Sequence, residues 1–341
     1  MRPEEGEAAS ERDVRVARDA RIARHVKVAL VAIALAVLAA VPFACRPQQS
    51  AAREYTEVHM GVPVRIVIFE PDEELARTAA RSAFGRISEL ENALSDYRVQ
   101  GELRDLEAGA PSWVPVSSDL FHVMSRALEV ARASDGAFDP TVGPLVRLWR
   151  EARTAGRLPR RESLDSARLL VGHSQVQLDS TSRGIRLAQT GMRIDLGGIA
   201  KGYILRQALL TMAEQGIRRV LVEAGGDVVV GDAPPGRKGW TISLPGVENH
   251  PDFAALASNL TNAALATSGP GEQFVEIDAV RYSHVVNPVT GIGLTDGVRA
   301  HVIAEDAALA DAIATALTVL GAARADPLLA QFPAVQAIVL R

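Results

Sequence analysis

Two separated stretches of this chain carry residues suited to phosphate or metal chemistry. The first is Met192 to Tyr203. Here an alternating run from Arg193 to Leu196 reads as a strand, Gly197-Gly198 follow, and an apolar repeat at helical spacing begins: Ile199, Tyr203, Leu205, Leu209 and Met212, closed by Gly216. A glycine turn that opens a helix exposes backbone N–H groups at the positive end of the helix dipole, which suits a phosphate. Asp195 and Lys201 flank that turn, one acid and one base. The turn matches no named phosphate motif, because Gly-x-Gly-x-x-Gly is absent and Lys201 precedes Gly202 rather than Ser or Thr. Tight strand–helix packing would call for the same glycines, so the turn alone does not specify a ligand.

The second stretch is a predicted last helix from about Ala307 to Leu320. Leu309, Ile313, Ala316, Leu317 and Leu320 form one stripe, and Ala308, Asp311, Ala312, Thr315 and Val319 form the opposite side, with no Lys, Arg or Glu. A helix apolar on both sides is expected to be covered on both sides. Asp311 then sits in a dry place and needs a partner or a metal. Thr315 lies one turn further along the same face, so two oxygen atoms point the same way. The competing account is an Asp favoured by the helix dipole, with Thr315 bonded to its own backbone.

The elements that must position these residues can be sketched from periodicity. Tyr55 to Met60 and Val64 to Phe69 read as two strands around Gly61-Val62-Pro63. A long amphipathic helix follows, with Pro71 at its start and Leu75, Ala79, Ala83, Ile87, Leu90 and Leu94 on one face. Ser118 or Asp119 caps a further helix with the stripe Leu120, Val123, Met124, Ala127, Leu128 and Ala131, stopped by Asp135-Gly136. Strands are expected at 176–178, 185–188, 220–222, 228–230, 240–244, 263–267, 274–277, 282–286 and 335–340. They come in hairpin-like series with helices between groups. That favours an α+β fold with a largely antiparallel or mixed sheet over a doubly wound parallel one.

The 341 residues are 48% hydrophobic with a formal net charge of −4, enough chain for one large domain or two small ones. The mildly acidic balance and 4% aromatics give no electrostatic basis for nucleic-acid binding. Cys45 is the only cysteine, which excludes an intrachain disulfide and a zinc site built on several thiolates. Residues 1–27 form a basic region, with Arg12, Arg15, Arg18, Arg21, Arg24 and Lys27. Residues 28–45 are an uncharged apolar run of about 18, short for a spanning helix and long for a signal core. Residues 46–54 form a linker, and residues 55–341 the folded domain. Basic residues before the apolar run place that domain outside the cytoplasm, tethered to a membrane or exported. Cys45, after Phe43-Ala44, stands where a lipoprotein cysteine would, while Pro42 replaces the usual Leu. Lipidation and an uncleaved anchor both remain open.

Several segments together resemble the ApbE family, the FAD:protein FMN transferases. They are Gly136-Ala137-Phe138-Asp139-Pro140-Thr141-Val142-Gly143-Pro144-Leu145, Asp195 to Tyr203, Gly225-Gly226-Asp227, and Ala266-Thr267-Ser268-Gly269. To these are added Ser283-His284-Val285-Val286-Asn287-Pro288-x-Thr290-Gly291 and Ala310-Asp311-Ala312-x-Ala314-Thr315-Ala316. The similarity runs from about Tyr55 to the C-terminus. It implies FAD as substrate, Mg²⁺ bridging its diphosphate, and transfer of FMN to a Ser or Thr hydroxyl of a partner flavoprotein with release of AMP. By position, the metal ligands would be the Asp311 carboxylate, the Thr315 hydroxyl and the Gly198 carbonyl, hard oxygens of the kind magnesium takes. FAD contacts would come from Met60, Tyr97, Ala137, Phe138, Asp139, Asp195, Lys201 and Val286. Among these, Tyr97 and Met60 offer flat or soft surface to a ring, and Lys201 suits a diphosphate. His284 is the candidate general base. The chain departs from the family pattern at Val62, Gly101, Glu107, Glu223 and Ala279-Val280. Two other activities fit the same residues: an FAD diphosphatase using water, and an FAD-binding lipoprotein without turnover.

Overall fold

In the computed structural model, which describes residues 52–98, 100–244, 246–269 and 274–341, the main sheet has seven strands, each antiparallel to its neighbours. The elements run β1 (Ala52–His59), β2 (Val62–Phe69), α1 (Glu73–Leu94), α2 (Glu102–Ala108), β3 (Trp113–Pro115), α3 (Ser118–Ala133), α4 (Gly143–Ala155), α5 (Arg161–Arg168), β4 (Val176–Asp179) and β5 (Gly184–Leu187). They continue with α6 (Ala200–Ala213), β6 (Val220–Ala224), β7 (Asp227–Val230), α7 (Pro251–Ala257), β8 (Ala263–Ser268), β9 (Phe274–Ile277), β10 (Val280–Ser283), β11 (Arg299–Ala304), α8 (Ala307–Leu320), α9 (Asp326–Leu329) and β12 (Gln336–Leu340). The main sheet has the order β1-β2-β6-β7-β8-β11-β12, and β3-β5-β4 and β10-β9 form two small sheets. This is the expected α+β architecture. The basic region, the apolar run with Cys45 and residues 46–51 of the linker lie outside the described residues. Among the described residues no helix is long and apolar enough to cross a membrane.

Alternation along each strand buries both faces of the sheet. Val64, Ile66 and Ile68 of β2, Val220 and Val222 of β6, Ala264 and Ala266 of β8, and Ala300 and Val302 of β11 face a core shared with α1, α3, α6 and α8. Their alternates Val67, Leu221, Leu265 and Ile303 face a second core with Trp240 and with Phe253 of α7. Small side chains on β8 and β11 let α8 lie close to the sheet, and α8 buries Asp311 along with both of its apolar stripes. Asp306 caps α8 by accepting from the N–H groups of Ala308 (3.0 Å) and Leu309 (3.2 Å), worth about 1 kcal/mol.

Several local expectations are corrected. The first hairpin turns at Met60-Gly61, both at positive φ, so Val62 and Pro63 belong to β2 and pair with His59 and Val58. Leu75 is exposed and Ala76 takes its place in the core. Ser117, not Ser118 or Asp119, caps α3, its hydroxyl accepting from Leu120 N–H. The run from Trp240 to Leu244 contributes only a bridge between Trp240 and Leu260, and β10 ends at Ser283. Arg193 to Leu196 is not a ladder strand. Its N–H groups go elsewhere, from Ile194 to the buried Glu107 carboxylate (2.9 Å) and from Asp195 to the Pro140 carbonyl (2.8 Å).

Candidate functional site

The site starts from a glycine. A Cβ on Gly202 would lie 2.0 Å from the Ala307 carbonyl oxygen and 3.1 Å from Asp311 Cβ, so only glycine lets the first turn of α6 press against the first turn of α8. That contact brings the Gly202 N–H to Asp311 Oδ2 at 3.1 Å. One turn further on, a Cβ on Gly198 would meet Thr315 Oγ1 at 2.8 Å and the edge of the Phe138 ring at 3.2 Å. Gly198, Phe138, Asp311 and Thr315, widely separated in sequence, therefore meet at one place.

Lys201 joins them from the same turn of α6. Its Nζ lies 2.6 Å from Asp227 Oδ2 and donates to the Gly225 carbonyl at 3.5 Å. Asp227 Oδ1 accepts from Thr267 N–H at 2.9 Å, and Oδ2 forms the ion pair with Lys201. Burial pushes the Asp311 carboxyl up to about 7; the Asp227 charge adds to this and the Lys201 ammonium opposes it. Burial works to lower the Lys201 ammonium, but Asp227 and Asp311 outweigh it and hold that group above its usual range.

The donors gathered here suit a hard cation that arrives with anionic oxygens of its own. One carboxylate, one hydroxyl and one backbone carbonyl would leave half of a six-coordinate shell to substrate and water. Among the described residues no three His, Cys, Asp or Glu side chains form a group that could hold a metal ion.

Upstream of Gly198 the site continues through Asp195. Its Oδ1 accepts from Gly197 N–H (2.8 Å), and its Oδ2 lies 3.4 Å from Arg150 Nη2 of α4. Burial first, then the neighbouring Asp96, push the Asp195 carboxyl up to about 6 against the pull of Arg150. The same guanidinium binds Asp96 Oδ2 at 2.6 Å and lies over the ring of Tyr97, 3.9 Å from its centroid. Tyr97 and Asp195 are thus brought together by an arginine.

The remaining expected residues form the surroundings. Met60 sits in the β1–β2 turn at φ 52°, and Val62, which follows that turn, lies against the Gly225-Gly226 turn: a Cβ on Gly225 would lie 3.7 Å from the Val62 methyls. Ala137 is buried with Val285 and Val319. The Asp139 carboxylate is fully engaged inside the protein. It accepts from Thr141 N–H (2.8 Å), Thr141 Oγ1 (2.6 Å) and His173 N–H (2.7 Å), so its side chain ties two loops together. Val286 is buried with Leu145 and Trp149 of α4. His284 is exposed at the head of a loop fixed by Trp149 Nε1 donating to the Gly291 carbonyl (2.8 Å) and by Asn287 Oδ1 accepting from Val289 and Thr290 N–H. Its neighbour Val285 packs toward Val319, one turn beyond Thr315 on α8.

Sequence reading gave no role to Asp227, Thr267, Asp96 or Arg150. The first two lie inside matched segments and are visible there as polar residues at a glycine turn and a strand end. Arg150 has only the signal of the helix that carries it, with Pro144 in the first turn and Gly156 at the end; its partners lie far off in sequence.

The antiparallel α+β fold thus joins a glycine-opened helix start to a buried carboxylate and a lysine. A profile described as the ApbE family matches residues 60–339. The chain is 31% identical over 307 residues to the FAD:protein FMN transferase of Treponema pallidum (strain Nichols), covering 84% of each chain. It is 31% identical over 244 residues to one from Klebsiella pneumoniae (strain 342), covering 70% of this chain and 73% of that one. Among solved structures, the ApbE protein of Thermotoga maritima superposes with a TM-score of 0.73 at 29% identity, over 85% of this chain and 94% of that one. The flavin transferase ApbE from Vibrio cholerae gives 0.72 at 26% identity, over 85% and 93%. The chain belongs to the ApbE family.

Proposed function

We propose that this chain transfers the FMN half of FAD to a Ser or Thr hydroxyl of a partner flavoprotein and releases AMP, with Mg²⁺ held by Asp311, Thr315 and the Gly198 carbonyl. The observation that carries the reading is the Gly202–Asp311 contact at 3.1 Å with Gly198 against Thr315, which brings a carboxylate and a hydroxyl to a helix start beside a half-buried lysine. The relatives' shared name, FAD:protein FMN transferase, supplies the substrate class.

Lys201 holds the diphosphate, and Asp227 keeps the Lys201 ammonium aimed and charged. Tyr97 and Met60 bound the ring, and Asp195 accepts hydrogen bonds from it. Phe138 closes the side away from water. The acceptor oxygen attacks the FMN phosphorus, the bond from that phosphorus to the bridging oxygen breaks, and AMP leaves with that oxygen. The proton of the acceptor hydroxyl passes to the His284 imidazole, which is exposed to an incoming protein. Bound Mg²⁺ supplies charge neutralisation on the diphosphate. The domain works outside the cytoplasm, membrane-anchored through residues 28–45 or a lipid on Cys45. The basic residues before that run support this orientation.

The test incubates the full chain, purified in detergent, with FAD, Mg²⁺ and a flavoprotein domain bearing an acceptor Thr. Flavin fluorescence on the acceptor in a denaturing gel, with one AMP per flavin, is the expected result. AMP without labelled acceptor identifies a diphosphatase instead, and FAD binding without AMP a carrier; either overturns the transferase reading.

A further inference from the structure

Tyr97 is 76% exposed, the most exposed aromatic among the described residues, yet it is firmly held. Its N–H donates to Ser95 Oγ at 3.2 Å. Arg104 grips the backbone on both sides of it, donating from Nε to the Arg98 carbonyl at 3.1 Å and from Nη2 to the Asp96 carbonyl. Arg150 covers one ring face at 3.9 Å, with its own orientation set by Asp96 at 2.6 Å and Asp195 at 3.4 Å. Two arginines and two carboxylates thus fix a ring that surface exposure would otherwise leave free to change rotamer. The face away from Arg150 stays open. A planar cation is the one side chain that can stack on a tyrosine while making in-plane hydrogen bonds to two carboxylates, so lysine could not replace it here.

We infer that Arg150 is a positioning residue that presets Tyr97 as a stacking platform for a planar heteroaromatic ring of the substrate, setting affinity rather than the chemical step. The inference rests on the FAD reading above and names the group that fixes where the ring docks. The geometry gives the reason for a single arginine in both places. Through Asp195 the guanidinium reaches the segment that leads into Gly197-Gly198, and through Tyr97 it reaches the ring platform. Ring site and phosphate turn are therefore held in one fixed relation, and ordering that a loose tyrosine would undergo on binding is already complete.

The experiment uses the full chain in detergent and reads FAD affinity by quenching of flavin fluorescence, alongside kcat and KM for flavin transfer. Arg150→Gln is expected to raise Kd and KM for FAD together by about tenfold with kcat changed less than twofold, the scale of a lost cation–aromatic stack and its pre-ordering. Arg150→Lys restores only part of that loss. Arg150→Gln combined with Tyr97→Ala loses clearly less than the product of the two single losses, because most of the arginine's effect passes through the ring. Unchanged Kd, a fall confined to kcat, full rescue by lysine, or additive losses each overturn the inference. Should Arg150→Gln fail to fold, Tyr97→Leu, a change at an exposed site, must show the same loss of FAD affinity, and wild-type affinity there overturns it equally. A wild-type chain that binds no FAD refutes the underlying reading. Wild-type binding with indifferent variants refutes this inference alone.

Discussion

Gly202→Ala tests the junction on which the site depends. The new methyl would lie 2.0 Å from the Ala307 carbonyl oxygen, a backbone atom at the capped start of α8, so no side-chain rotation relieves it. The two helix starts must separate by more than an ångström. Overpacking of this kind costs about 1–3 kcal/mol. Separation also breaks the bond from Gly202 N–H to the buried Asp311 carboxyl, adding about 1.5–3 kcal/mol. A loss of roughly 2.5–6 kcal/mol is a large share of the 5–15 kcal/mol typical of a domain. Urea unfolding should show a midpoint far below wild type, and flavin transfer should fall steeply in whatever fraction stays folded, because Asp311 has moved. Gly85→Ala is the control: Gly85 is exposed within α1, a Cβ there meets nothing within 4 Å, and the change should stabilise by about 0.5–1 kcal/mol. If Gly202→Ala matched wild type in both midpoint and transfer, the close docking of α6 on α8 would be wrong.

Thr315→Val keeps shape and removes the hydroxyl. We expect little change in stability and a Mg²⁺ requirement raised about tenfold in a metal titration of flavin transfer, roughly 1.4 kcal/mol for one lost ligand; an unshifted titration contradicts the ligand role. Asp227→Asn breaks a buried ion pair and should cost about 3 kcal/mol in urea unfolding, with weaker FAD binding as Lys201 loses its anchor. Wild-type stability and affinity would refute that. Asp195→Asn carries a pH signature. In the fold this carboxyl keeps its proton up to about pH 6, while the unfolded chain releases it near pH 4. The stability tied to that proton is complete below pH 4 and lost as pH rises through 6. The variant should therefore gain on wild type by up to about 3 kcal/mol between pH 4 and pH 7, and a pH-independent difference refutes the burial argument.

What could be read without coordinates follows from where the determining forces act. The last helix was legible nearly to the residue, because its apolar stripes are local. Its oddity, an acid on a dry face, was legible for the same reason. Arg193 to Leu196 misled because alternation reports burial and not pairing. Those residues alternate correctly, but their N–H groups are taken by Glu107 and Pro140 from distant parts of the chain. The helix of Arg150 has no side-chain cap at Val142, but Pro144 in its first turn, the buried stripe Leu145, Trp149 and Ala152, and the left-handed Gly156 at its end are local signals that mark it. The Arg150–Tyr97 stack and the Lys201–Asp227 pair are contacts across long sequence separations, with no local pattern to announce them. The family segments marked where the chemistry lies, and only the packing of α6 on α8 says why Gly202 must be glycine.

The central claim is that one divalent ion sits between Asp311, Thr315 and the Gly198 carbonyl. Anomalous scattering from a crystal grown with FAD and Mn²⁺ in place of Mg²⁺ measures this directly. The account predicts one strong peak about 2.1 Å from an Asp311 oxygen, Thr315 Oγ1 and the Gly198 carbonyl oxygen, in contact with the FAD diphosphate. A peak elsewhere, or FAD bound with its diphosphate away from Gly198, would contradict it.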